Sequence, residues 1–142
     1  MTSTPILPQA PRLGLLAYSN GMTTTAQTVF TANTTNLSLG SKMVSLYAVS
    51  SDVTARIFRV SIARGGTSYY QGAVSVAASS GYDGTNNQID FLSNTAMPGL
   101  PKDSDGRQYI LMANGDTLQV SSTTTLTNTT VFVYLTAIGA DY

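Results

Sequence analysis

The chain of 142 residues contains no His, no Cys, no Trp and no Glu, so that all seven acidic residues are Asp. Each absence closes a class of chemistry. Without His, the side chain that most often moves protons near neutrality and ligates transition metals is missing. Without Cys there are no disulfides, no thiolate nucleophiles and no thiolate zinc sites, so stability must come from the core. A nucleophilic Ser would find no His base, and the only replacements, Lys42 and Lys102, sit in no recognisable motif. The chain is therefore expected not to be an enzyme and to use no metal or cofactor.

Charge is scarce as well. Seven Lys and Arg balance the seven Asp, and charged residues make up 10% of the chain, against the roughly 25% usual in soluble domains. No basic cluster is present to steer the protein toward nucleic acid. No apolar run approaches the roughly 20 residues of a membrane-spanning helix. Met1–Arg12 lacks the charged start and apolar centre of a signal peptide. The expectation is a soluble protein made in the cytoplasm, with neither nucleic acid nor membrane as partner. A surface so poor in charge is either solvated by hydroxyls and amides or covered by further copies, because interface centres are depleted of charge.

In place of the missing groups stand 21 Thr, 16 Ser and 8 Asn, residues that pave strand faces and turns. The clearest strand is Thr54–Ala63, with Phe58, Val60 and Ile62 on one face and Ile57, Arg59 and Ser61 on the other, a period of two. Further strands are expected over Leu13–Ser19, Gln27–Ala32, Lys42–Ser50, Ser68–Gln71 (followed by the small-residue run Ala73–Ser80), Gln88–Leu92, Gln108–Ala113, Thr117–Ser121 and Thr130–Gly139. In Lys42–Ser50 the alternation places Val44, Leu46 and Ala48 together, opposite Met43, Ser45 and Tyr47. Thr130–Gly139 is apolar on both faces, which predicts a central strand covered on both sides. No segment keeps helical spacing, and Gly/Asn/Asp turns separate the strands. The fold class is all-β, an antiparallel β-sandwich of jelly-roll type. The loop Asn94–Gly106, with Pro98 and Pro101, is long enough to be functional or disordered.

The first twelve residues read differently. Pro5, Pro8 and Pro11 recur with the three-residue period of polyproline II, which describes a semi-rigid extended arm over residues 1–12 ahead of a domain over 13–142. Ile6 and Leu7 are its large apolar side chains, and Arg12 offers a charge to a partner's carboxylate. Tyr69 and Tyr70 follow the Arg64-Gly65-Gly66 turn. Neighbours on a strand point oppositely, so one Tyr is expected in the core and the other outside as a contact residue. Lys102–Arg107 approximates a calcium loop, but Pro101 and Met112 occupy positions where ligands are required, so a plain turn is the better reading. Asp83 and Asp90 have the composition of a carboxylate pair, with nothing in the sequence to bring them together.

Phe58–Gly66 (FRVSIARGG) followed by Tyr69-Tyr70, together with the closing GDTLQVSS…VFVYLTAIGADY of Gly115–Tyr142, resembles small β-sandwich structural proteins of tailed bacteriophages. The resemblance runs in order over about residues 13–142, except that Gly81–Gly106 is longer than the pattern and the proline arm lies outside it. It implies a virion protein: a decoration (cement) protein that binds and stabilises the head, or a tail-, baseplate- or fibre-associated component. The implied partners are the major capsid protein, or a tail protein, and further copies of the chain as a homotrimer. Pro5, Ile6, Leu7, Pro8, Pro11, Arg12, Tyr69 and Tyr70 are the candidate partner-binding residues. A sugar-binding receptor module is the competing class.

Overall fold

The computed structural model describes residues 10–19, 24–32, 39–126 and 130–141, and its regular structure there is entirely β. The strands are β1 (Ala10–Ser19), β2 (Gln27–Thr31), β3 (Ser41–Ser50), β4 (Arg56–Arg64), β5 (Thr67–Val76), β6 (Ile89–Asp90), β7 (Ile110–Met112), β8 (Thr117–Ser122) and β9 (Phe132–Asp141). They form two antiparallel sheets. One has the order β1-β9-β3-β6, with β7 also pairing β3, and the other has the order β2-β8-β4-β5. This is the expected sandwich.

The core follows from the period of two. Phe58 and Val60 from β4, Leu118 and Val120 from β8, and Val133, Leu135 and Ala137 from β9 are all fully buried between the sheets. Ile62, expected with them, is only partly buried because the β4–β5 hairpin runs on toward the end of the sandwich. Tyr18 meets Phe58 edge-on with ring centroids 5.4 Å apart, and its hydroxyl accepts a hydrogen bond from the Ser122 amide at 3.3 Å. That bond ties β1 of one sheet to β8 of the other. At the edge of the sandwich the two sheets approach backbone to backbone. A Cβ on Gly14 would stand 2.1 Å from the Val29 carbonyl oxygen, so only Gly lets β1 close against β2 there.

Four expectations need correction. In β3 the register shifts between Met43 and Ser45 opposite β9, and this bulge reverses the face downstream of it. Met43, Leu46 and Ala48 are therefore buried while Val44 is exposed. Ser68–Gln71 and the first part of Ala73–Ser80, as far as Val76, form one strand, β5, with its own register shift opposite Val60 and Ser61. β9 is central, between β1 and β3, but among the described residues only one of its faces is covered: Tyr134 and Ile138 on the other are 48% and 40% exposed. The long loop contributes to the core rather than standing free, since Met97 is buried and Leu100 packs partly buried against the core, and the buried Gln108 side chain donates to the Met97 carbonyl at 2.6 Å.

Phe58→Ala removes a fully buried ring and the edge contact with Tyr18. Denaturant titration should show a loss of about 3–5 kcal/mol with far-UV circular dichroism still of β type. A loss under about 1 kcal/mol would contradict its place in the core.

Candidate docking end

Register places the expected contact residues at one end of the sandwich. Ala10 and Arg12 at the start of β1 pair with Asp141 and Gly139 at the end of β9, and Ser41 at the start of β3 also pairs with Asp141. Met112 pairs with Ser41, and Thr117 pairs with both Thr31 and Ala63. The β4–β5 hairpin turns at this same end, because Arg64 pairs with Thr67. Gly65 and Gly66 are its two loop residues, with φ of 57° and 81°, the pair of positive values that a tight type I′ hairpin turn requires.

Two ionic clusters brace this end. The Arg64 guanidinium grips Asp116 in a fork, Nε to Oδ1 at 2.7 Å and a terminal nitrogen to Oδ2 at 2.5 Å. The same carboxylate accepts the Ala113 amide at 2.9 Å, and Asp116 is buried. The Arg64 hydrogen bonds hold its carboxyl below the usual range, with the Ala113 amide acting in the same direction against the effect of burial. The second cluster is centred on Asp141, which accepts the Ser41 hydroxyl at 2.6 Å and an Arg12 nitrogen at 3.2 Å. Arg12 also lies over the Phe30 ring at 4.8 Å. The charge expected to serve a partner's carboxylate is thus engaged within its own chain, and neither cluster was legible from spacing: Arg12 and Asp141 are brought together by the β1–β9 register alone.

Pro11 and Arg12 belong to β1 rather than to an arm, and Pro11 is accommodated because β1 is an edge strand. Pro5, Ile6, Leu7 and Pro8 lie outside the described residues. Tyr69 and Tyr70 are both exposed, at 55% and 69%, where one had been expected in the core. Tyr69 does sit on the inward-facing side of β5, opposite Ile62. With Ile62, Arg64 and Gln71 it lines an open concavity of about 390 Å³ instead of being packed over. Tyr70 projects from the other side. Chain connectivity and the hairpin thus bring the entry of residues 1–9 and both tyrosines to one end.

The carboxylates considered as chemical sites are occupied locally. Asp103 accepts the amides of Asp105 and Arg107 at 3.0 and 2.9 Å, Asp83 accepts that of Thr85 at 2.9 Å, and Asp90 that of Leu92 at 2.9 Å. These are turn-forming contacts.

No family model and no curated protein matches this chain. A chain of the solved cyanophage Pam1 capsid asymmetric unit is similar to it, at 11% identity over 99% of this chain and 92% of that one, with a TM-score of 0.48.

Asp116→Asn keeps the shape of the side chain but loses the charge that Arg64 and the Ala113 amide bind. It should cost about 1–3 kcal/mol at neutral pH. A carboxyl with a lowered folded-state pKa stabilises above its unfolded value of about 3.9 and loses that contribution as pH falls through the folded value. Unfolding curves for the two proteins should therefore differ most at neutral pH and converge below about pH 4. An equal gap at all pH values would show that the charge of Asp116 does not matter.

Proposed function

We propose that this chain is a non-enzymatic structural protein of a tailed-phage particle, a decoration protein that binds the major capsid protein through the end of the sandwich bearing the β4–β5 hairpin and the entry of residues 1–9. One observation carries the reading: β1 begins, at Ala10, at the same end from which Tyr69 and Tyr70 project. An extended polyproline segment loses little entropy when it lies in a groove, and exposed tyrosines supply large contact area with few rotatable bonds. The Gly65-Gly66 turn and the Arg64–Asp116 fork hold the hairpin in place before any partner arrives. The low charge of the chain suits a protein whose surface is largely covered in an assembly. The sequence resemblance to phage β-sandwich proteins supplies the class of assembly, and the site of action is the virion.

A second reading rests on the concavity lined by Ile62, Arg64, Tyr69 and Gln71. A ring, an amide and a guanidinium around an open hollow are the groups that bind a sugar face and its hydroxyls. That reading makes the chain a receptor-binding part of the tail.

Cosedimentation with purified empty heads and with isolated tails separates the two. The full chain should pellet with heads. Deleting residues 1–9, which leaves β1 whole, should weaken binding at least about tenfold, and Tyr69→Ala with Tyr70→Ala should do the same, each with an unchanged melting temperature. Binding to tails alone, or glycan binding abolished by Tyr69→Ala, would favour the second reading. Binding to heads that is indifferent to both changes would remove this end as the docking surface.

A further inference from the structure

Among the described residues, the outer face of the β1-β9-β3 sheet is apolar and uncovered. Pairing in these strands puts residues of one parity inside and the other outside. The outward set includes Leu13 and Leu15 on β1, Tyr134 and Ile138 on β9, Val44 on β3 and Leu111 on the adjoining β7. All are exposed, Leu13 and Leu15 by 62% and 69%. The register seats Leu13 beside Ile138, and Ala17 beside Tyr134. At one end of the face Phe132 stacks on Tyr134 at 4.1 Å, and Tyr82 meets Phe132 edge-on at 5.4 Å. A shallow hollow of about 340 Å³ runs between β1 and β9 beside Leu15 and Tyr134.

We infer that this face is the surface through which two copies of the chain associate, sheet against sheet. The inference rests on the reading of the chain as an assembling structural protein and names one of its partners. Three observations select a second copy as the occupant. The first is area: the exposed parts of these large side chains and Tyr82 amount to roughly 700 Å², taking about 200 Å² for a full aromatic or Leu side chain, near the roughly 800 Å² each partner gives to a stable interface. A monomer's largest apolar patch seldom exceeds a few hundred Å².

The second is charge. Lys42 and Asp90 border the face, paired in register with Ala140 and Tyr47, one charge of each sign. Such a face meets its own copy without net repulsion, and its apolar character is that of interfaces between identical subunits, whereas surfaces that meet a different protein are about as polar as the rest of the exterior. The third is shape. Two copies of one sheet have the same twist, so they pack in the aligned manner of sandwich sheets about 10 Å apart.

Sedimentation velocity of the full chain over a wide range of concentration tests the inference. The wild-type protein should sediment as a dimer of the 14.9 kDa protomer. Leu15→Asp and, separately, Tyr134→Asp should sediment as the 14.9 kDa protomer with unchanged circular dichroism. Ile57→Asp, on the outer face of the other sheet, should leave the mass as in the wild type. Should either Asp variant lose its fold, Leu15→Thr with Tyr134→Thr keeps strand-forming residues and should weaken association by roughly tenfold or more. A wild-type protein that stays monomeric, or variants on this face that associate as tightly as the wild type, would overturn the inference. Head binding plays no part in this measurement, so failure here leaves the docking end standing, and failure there leaves this face standing.

Discussion

A two-layer sandwich offers each strand one covered face, and most of what is unusual in this molecule follows from that limit. Side chains alternate across a strand, so a residue in the wrong parity cannot reach the core by small adjustment; it is outside unless a bulge changes the phase. The chain uses that device where β3 shifts register between Met43 and Ser45, which brings Met43 in and puts Val44 out. Along β1 and β9 the register runs without a shift over all ten pairs. Leu13, Leu15, Tyr134 and Ile138 are consequently held outside by the same alternation that turns Leu16, Tyr18, Val133 and Leu135 inward.

The alternation also explains which parts were legible from sequence. Phe58, Val60, Leu118 and Val120 were readable as core because each sits in a run whose opposite phase is mainly polar, and all are buried. Where that contrast fails, sequence reading fails with it. Both faces of Thr130–Gly139 are apolar, and a covering layer was the natural explanation; the strand is central, yet among the described residues its second face is uncovered. Bulges in β3 and β5 left no mark in the residues themselves. Tyr69 shows a different gap: its phase is inward, opposite Ile62, but phase says nothing of whether the opposite sheet extends far enough to cover it. The Arg64–Asp116 and Arg12–Asp141 pairs depend on which strands become neighbours, information held in the whole topology.

The two ends of the problem, docking and stability, meet at the Arg64 fork. Asp116 belongs to the turn between β7 and β8, and its carboxylate closes that turn through the Ala113 amide while it holds the hairpin of the neighbouring strands. Removing Arg64 leaves a buried carboxylate without its counter-charge, which costs more than the pair itself adds. The exposed tip bearing Tyr69 and Tyr70 is therefore anchored to a buried charge and does not hang from a free hairpin.

β1 completes its sheet by pairing with β9, from Ala10 against Asp141 to Ser19 against Phe132. During synthesis the first described strand must wait for the last before its ladder can form, and until then Leu13 and Leu15 sit on an unpaired edge. The local β4–β5 hairpin can form as soon as it emerges, but the sheet that carries the outer apolar face is the product of the longest-range pairing in the chain. Folds dominated by such contacts are slow to form, and their exposed strands are open to wrong partners meanwhile. Expression rate and temperature will govern the yield of folded material more than the stability of the finished sandwich does.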